Sequence, residues 1–203
     1  MSREERLVSV RERIGAACQG ALEDPEGRWT ELKDVLALAE DRDEEVARLA
    51  SLSMTLAFKD ICPGYRIRPP TAKELAMKVS KETQKLRDFE AGLLKMYGGF
   101  VRLAIRRGGG EGRKRRADRG KGGPAPGVAL RCLCELLEAL PHFNYRTDVL
   151  SALVPHLARR DSAGAATAAE AMCGAIRRDL AGDVTLEALH MLAELVKTLR
   201  CAC

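Results

Sequence analysis

Apolar side chains recur at helical spacing through the first third of the chain. One predicted helix covers residues 3–18, a second covers Trp29–Ala39, and a third begins at Glu44 and ends near Phe58. The segment Asp24-Pro25-Glu26-Gly27 predicts a turn between the first two helices. Short helices joined by short turns are typical of stacked antiparallel hairpins, as in HEAT-type arrays. No repeat of fixed period accompanies the pattern.

Residues 61–70 (ICPGYRIRPP) interrupt the helical pattern. Their three prolines and one glycine exclude a helix, so the chain is expected to run extended here. Successive side chains of an extended segment point to opposite sides. We therefore predict that Tyr65 and Ile67 are buried against the helices, while Arg66 and Arg68 point outward.

A single long helix is predicted from a capping box at Thr71 and Glu74 to about Arg107. Its apolar stripe consists of Leu75, Val79, Leu86, Leu93, Tyr97, Phe100 and Ala104. Another face carries basic residues spaced by three, four or seven positions or their sums, namely Lys78, Lys81, Lys85, Lys95, Arg102 and Arg106. Gly98 and Gly99 each cost about 1 kcal/mol relative to Ala in a helix and predict a kink.

Residues 108–127 contain eight glycines and two prolines, which predicts a flexible basic linker. Four further helical patterns follow it, at about 128–140, 146–159, 164–180 and 185–200. We therefore predict an N-terminal helical region (1–107), the linker (108–127) and a C-terminal helical region (128–203). The predicted fold class is all-α, with antiparallel helical hairpins stacked as a HEAT- or armadillo-like solenoid, one long helix and a flexible linker.

Composition supports helices and shows an uneven distribution of charge. Apolar residues make up 46% of the chain but aromatic residues only 4%, which favours packed helices over a sheet. The net charge is −5 over residues 1–58 (8 basic, 13 acidic), +4 over 59–101 (9 and 5), +7 over 102–121 (9 and 2) and −1 over 122–203 (8 and 9). This positive band in the middle of the chain suits a polyanion, with phosphate as the obvious candidate.

The cysteines and the N-terminus predict an intracellular protein. Seven cysteines, an odd number scattered through helical patterns, suit a reducing compartment. Cys132 and Cys134 lie two positions apart, which turns their thiols about 200° away from each other on a helix, the wrong geometry for tetrahedral zinc. They are therefore expected to be ordinary buried thiols, and Cys201 and Cys203 to belong to an unstructured tail. MSREERL is too charged for a signal peptide, and no apolar run is long enough to span a membrane.

No catalytic or cofactor-binding constellation is predicted. The three histidines, His142, His156 and His190, have no nucleophile and acidic partner that can be assigned to them. Gly108–Lys121 lacks both the P-loop and the dinucleotide-binding glycine patterns. We expect no enzyme activity, no cofactor, no metal, no membrane association and no small-molecule substrate.

The basic residues are the candidate functional feature. The candidate nucleic-acid contacts are Arg66, Arg68, Lys78, Lys81, Lys85, Arg102, Arg106, Arg113, Lys114, Arg115 and Arg116. The plain alternative is a solvated helix face followed by a soluble linker. Among anionic partners RNA ranks ahead of DNA or an acidic protein. The sequence lacks the stacking aromatic residues of RRM domains. We therefore expect it to contact the phosphates of a nucleic acid and to recognise its shape, and not to read its bases. Arg113–Arg116 also fits a nuclear import signal.

Several blocks of the sequence resemble one family. Residues 58–71 (FKDICPGYRIRPPT) resemble the opening signature of the nucleolar complex-associated protein 3 family, and the similarity continues through 78–81 (KVSK), 85–90 (KLRDFE) and Leu93-Leu94. After the linker, 133–137 (LCELL), 141–146 (PHFNYR) and 186–188 (LEA) follow in the family order. The resemblance covers roughly residues 30–200.

This resemblance implies a non-catalytic α-helical repeat protein of the nucleolus. Relatives join precursors of the large ribosomal subunit, pair with nucleolar complex-associated protein 2, and in some cases are tied to chromatin and the loading of replication factors. Two departures are visible: the glycine-rich stretch 108–127, where relatives continue with helix and charged linker, and a chain that stops soon after Leu199. The hypothesis is an assembly scaffold that binds a helical partner protein and precursor rRNA. The alternatives are a chromatin-binding factor in replication initiation and a generic helical-repeat adaptor.

Overall fold

A computed structural model describes residues 2–108, 122–159 and 163–201. All regular structure within these residues is helical, which confirms the all-α class. The helices are α1 (Arg3–Glu23), α2 (Pro25–Arg28), a 3₁₀ turn (Trp29–Glu31), α3 (Leu32–Leu38), α4 (Glu44–Ile61), α5 (Ala72–Ala76), α6 (Lys81–Gly108), α7 (Pro126–Ala139), α8 (Arg146–Leu157), α9 (Ala163–Arg177) and α10 (Asp183–Cys201). None of these helices is long and apolar enough to cross a membrane.

The predicted turn at 24–27 is instead the start of α2. Asp24 caps this helix because its Oδ1 accepts a hydrogen bond from the Gly27 N–H at 3.0 Å. Pro25 occupies the first helical position, where its missing N–H costs nothing. Asp24 therefore both ends α1 and starts α2, and the Asp-Pro-x-Gly sequence joins the two helices through a single helical turn.

The prediction of one long helix from Thr71 to about Arg107 is wrong, because two helices cover this range. Thr71 and Glu74 form the predicted capping box, but it caps only the short α5. A second cap follows at Ser80, whose Oγ accepts from the Thr83 N–H at 3.1 Å and starts α6. The Arg87 guanidinium donates to the free carbonyl of Glu74 at 3.0 Å and holds the two helices together. A second capping residue inside one periodic pattern thus divides the helix.

The core joins the two halves of the chain. α6 and α4 both pack on α7. The Tyr97 ring lies edge-on between Phe58 and Phe143, with ring centroids 5.2 and 5.0 Å away. Phe100 adds a further ring at 5.7 Å from Phe58. All four side chains are buried, so residues from before and after the predicted linker share one hydrophobic core.

Two glycines of α6 permit close packing. α6 passes without interruption through Gly98 and Gly99, the position of the predicted kink. A methyl group at Gly98 would overlap the ring of Tyr145, and one at Gly92 would overlap the indole of Trp29. At these two positions glycine brings the helix surface into contact with aromatic side chains.

The predicted linker of residues 108–127 lies mostly outside the described residues, which end at 108 and resume at 122. Gly108 is the last residue of α6, and Pro126 opens α7. Between them, the Gly123 N–H donates to the Asp41 carbonyl at 2.9 Å. Arg107 Nε also donates to the Pro124 carbonyl, at 3.1 Å, so the approach to α7 is fixed against the front half.

Cys132 and Cys134 are buried thiols, as predicted. The Cys132 Sγ lies 3.8 Å from the Ser51 carbonyl on α4, whereas the Cys134 Sγ lies 3.8 Å from the Thr167 carbonyl on α9. The two thiols therefore point to different helices. Burial raises the pKa of both, that of Cys134 to about 12. No cluster of His, Cys, Asp and Glu within the described side chains has metal-site geometry; Cys203 and the side chain of Cys201 lie outside them.

Candidate nucleic-acid interface

The extended segment after α4 is held in place by one asparagine. Asn144 accepts a hydrogen bond from the Ile67 N–H through Oδ1 and donates to the Ile67 carbonyl through Nδ2, both at 2.9 Å. His142 Nε2 lies 3.1 Å from the Pro63 carbonyl and donates to it. Ile67 is buried, as predicted. A side-chain amide thus replaces the backbone partner that this strand-like segment would otherwise lack.

The predicted burial of Tyr65 is wrong, since 53% of this residue is exposed. Its hydroxyl donates to Glu90 Oε1 of α6 at 2.6 Å, and this hydrogen bond is the main reason why the pKa of Tyr65 is raised. A tyrosine that keeps its hydroxyl bonded to a carboxylate lies along the helix surface instead of entering the core. Arg66 and Arg68 are exposed, as predicted.

Arg66 lies near Glu187 of α10. Burial acts to raise the pKa of Glu187, but hydrogen bonds from Thr147 and Arg146 and the charges of Arg146 and Arg66 outweigh burial and lower it. Arg146 Nε donates to Glu187 at 2.7 Å. Arg66 is therefore close enough to Glu187 to favour its charged form, while Arg146 makes the direct contact with α10.

A groove of about 500 Å³ lies between the extended segment, α6 and Tyr145. Of the predicted candidates that the structure describes, the groove brings together Arg68 and Arg102. Two further cations line it: Lys95, which belongs to the predicted basic face, and Arg87, which the helical pattern did not single out. Tyr145 also lines the groove, and it reaches this position through tertiary packing that no pattern in the sequence predicts.

The cations of this groove differ in their partners. Arg68 is paired with Glu74 at 2.6 Å, and this hydrogen bond is the main reason why the pKa of Glu74 falls to about 2. The Arg102 guanidinium lies 5.9 Å from the ring centroid of Tyr145, in a cation–π contact. Lys95 is exposed and makes no ion pair with any described residue. Lys95 and Arg102 therefore remain available to an anion.

The remaining predicted cations separate into different surroundings. Lys78 and Lys81 lie exposed where α5 meets α6, and neither is paired with a carboxylate of the described residues. Lys85 follows one turn later, 3.9 Å from Asp24. We call Lys78, Lys81 and Lys85 the junction surface. Arg106 faces elsewhere and is paired with Glu40 at 2.9 Å.

The predicted basic face is thus not one continuous stripe. The junction surface, the groove and Arg106 meet different neighbours. The cluster Arg113, Lys114, Arg115 and Arg116 lies outside the described residues. Exposed lysines with weak or no ion pairs make the junction surface the most accessible part of the positive band among the residues that the structure describes.

Comparison with known proteins identifies the family. The sequence model of the Nucleolar complex-associated protein family (NOC3p) matches residues 9–100. Nucleolar complex-associated protein 3 of Arabidopsis thaliana is 36% identical over 99% of this chain. The chain belongs to the nucleolar complex-associated protein 3 family. The resemblance seen in the sequence is therefore confirmed.

Other members of the nucleolar complex-associated protein 3 family are also similar over most of this chain. The Danio rerio homolog is 34% identical over 97% of the chain, and the Saccharomyces cerevisiae protein is 29% identical over 87%. The matched region is 23% of the Arabidopsis protein and 26% of the other two, so the chain spans about a quarter of their length. The family names indicate a nuclear, nucleolar location, as predicted.

The family motifs meet in space. Residues 63–68 (PGYRIR) and 141–146 (PHFNYR) are joined by Asn144 and His142, and residues 186–188 include Glu187, which binds Arg146. Segments far apart in the sequence thus form one contact region. Much of the motif serves to fix the extended segment against α6 and α8.

Proposed function

We propose that this chain is a non-catalytic scaffold segment in the nucleolar assembly of the large ribosomal subunit. In this proposal it contacts precursor rRNA on the pre-60S particle and pairs with a helical protein resembling nucleolar complex-associated protein 2. Membership of the nucleolar complex-associated protein 3 family and the nucleolar location support it. The observation that carries the RNA contact is the junction surface, where Lys78 and Lys81 are exposed and unpaired among the described residues.

The chemistry of the junction surface favours phosphate over bases. Lysine is a compact charge on a flexible stem and lacks the planar, two-pronged donor group with which arginine recognises a base edge. Contacts of this kind position a protein on a nucleic acid and contribute affinity without sequence information. The proposed role is therefore attachment to folded RNA, with specificity left to the assembled particle.

We further propose that the helices form part of a HEAT- or armadillo-like solenoid. In the C-terminal region α7 contacts α8 and α9, and α8 contacts α9 and α10. Contacts between each helix and the next two along the chain are typical of such arrays, in which every repeat touches only its neighbours. An extended helical surface of this kind suits a scaffold that binds both RNA and protein.

The test is RNA binding by charge-matched variants. One variant replaces Lys78, Lys81 and Lys85 with Gln, and its control replaces Arg177, Lys197 and Arg200, which are exposed on α9 and α10. Both variants lose three positive charges. For a structured RNA of the large-subunit precursor, the first variant is expected to bind about tenfold or more weakly. The control is expected to stay near the wild-type affinity.

Equal losses in the two variants would show that only net charge matters and would reject the junction surface. A clear preference for duplex DNA over RNA would favour the chromatin alternative. Sedimentation of the tagged chain with precursor ribosomes, with RNase or DNase added, provides the cellular counterpart. Release by RNase alone is the expected result.

A further inference from the structure

We propose that the groove between the extended segment, α6 and Tyr145 binds an acidic peptide that carries apolar side chains, contributed by a partner protein. The groove is distinct from the junction surface and has its own cations, Lys95 and Arg102. The proposal goes beyond attachment to RNA, because it assigns a second ligand of a different class to a different site.

The floor and one wall of the groove are apolar. Pro69 and Pro70 line the groove on the extended segment, and we call them the wall; Ala91 and Leu94 line it on α6, and we call them the floor. Prolines have no N–H to offer a phosphate oxygen, and the floor presents only carbon. An apolar side chain gains from burial here, whereas a phosphate backbone has nothing to place on this floor.

The groove is built in advance of any ligand. Asn144 fixes Ile67, the residue two positions before the proline wall, through both of its backbone groups. Tyr145 adopts a left-handed backbone conformation with φ 64°, which is uncommon for a residue other than glycine. Its ring packs closely on Gly98. Strained residues of this kind are found where the surrounding structure holds a binding site in place.

The charge of the groove favours an acidic ligand. Its two carboxylates are already hydrogen-bonded, Glu74 to Arg68 and Glu90 to Tyr65. Lys95 and Arg102 lie seven residues apart, which is about 10 Å along the same side of α6. These two cations and the apolar floor suit a peptide in which carboxylates flank an apolar side chain. Opposite charges at the rim would steer and orient it.

The test uses fluorescence anisotropy of a labelled synthetic peptide of alternating Glu and Leu. Matched probes alternate Glu with Ser, which keeps the charge and removes the apolar groups, and Lys with Leu, which reverses the charge. Oligouridine serves as the RNA probe. The Glu-Leu peptide is expected to bind about tenfold more tightly than either matched peptide.

Two variants separate the rim from the floor. Lys95→Glu is expected to weaken Glu-Leu binding by about tenfold, because it replaces attraction with repulsion at the rim. Ala91→Gln adds bulk without charge at an exposed helical position and is expected to weaken binding by about threefold. Circular dichroism checks that both variants fold as the wild type does. The triple Gln variant of the junction surface is the control and is expected to bind the peptide normally.

Equal binding of the Glu-Ser and Glu-Leu peptides would overturn the proposal, because the floor would then contribute nothing. Efficient competition by oligouridine that is lost in Lys95→Glu would also overturn it, by making the groove an RNA site. The two proposals can be disproved independently of each other. Loss of RNA binding in the junction variant tests the proposed function, whereas loss of peptide binding in Lys95→Glu tests the groove.

Discussion

The first part and the middle of the predicted long helix share one apolar pattern but differ in burial. Leu93 is completely buried, whereas Leu86, one heptad earlier on the same face of α6, is 39% exposed. Leu75 of α5 is 65% exposed. α6 packs on α7, which supplies a partner for its apolar face, and the buried residues of α6 begin at Phe89. Periodicity therefore predicts which face of a helix is apolar, but not whether the chain contains an element to cover it.

The largest expected effect comes from the same substitution at two positions of α6 that lie one heptad apart. Leu93→Ala is expected to lower the free energy of unfolding by about 2–5 kcal/mol, because it leaves a cavity in the core. Leu86→Ala, the matched control, is expected to cost less than about 1 kcal/mol. Urea denaturation of both variants measures the difference. Similar losses of unfolding free energy in the two variants would mean that Leu86 and Leu93 are equally well packed.

The next effect concerns the contact that holds the extended segment. Asn144→Ala removes both hydrogen bonds to Ile67 and leaves its backbone groups unpaired, which is expected to cost about 1–3 kcal/mol. Hydrogen exchange of the Ile67 amide is expected to speed up in parallel. His142→Ala, which removes one exposed contact, is the control and should cost less. Unchanged exchange at Ile67 would contradict the role of Asn144.

Much of the fold follows from the sequence, but the groove does not. α4 begins at Glu44 as predicted, and Thr71 and Glu74 cap a helix as predicted, because both depend on residues close together in the chain. The pairing of Ile67 with Asn144 joins residues 77 positions apart, and no local pattern specifies it. The exposure of Tyr65 could not be predicted for the same reason, since it depends on where Glu90 lies.

A smaller effect is expected at Tyr65. Tyr65→Phe removes only the hydrogen bond from the hydroxyl to Glu90 and keeps the ring, so the expected loss of stability is about 1 kcal/mol or less. The pKa of Tyr65 in the wild type is raised above its ordinary value, chiefly by this hydrogen bond. Ultraviolet titration compared with a Glu90→Gln variant tests this cause. An equal pKa in both proteins would contradict it.

The smallest effect is a pH dependence at the rim of the groove. The pKa of Glu74 is lowered from 4.5 to about 2, first by the hydrogen bond from Arg68. A carboxylate with a lowered pKa contributes stability above its unfolded pKa, and this is lost as the pH falls from about 4.5 toward 2. In the Arg68→Gln variant, the pKa of Glu74 is expected to rise toward 4.5. NMR of the Glu74 carboxyl carbon during a pH titration measures this midpoint. An unmoved midpoint would assign the shift to the Thr71 cap instead.

The central claim is that the junction surface contacts RNA phosphates, and the salt dependence of binding tests it most directly. Each phosphate contact contributes a slope of roughly −0.7 to −0.9 to log K against log salt concentration. Replacing Lys78, Lys81 and Lys85 with Gln is expected to flatten the wild-type slope by about two to three units. RNAs of unrelated sequence and equal length are expected to bind almost equally well. Binding that is insensitive to salt, or a variant that keeps the wild-type slope, would contradict the account.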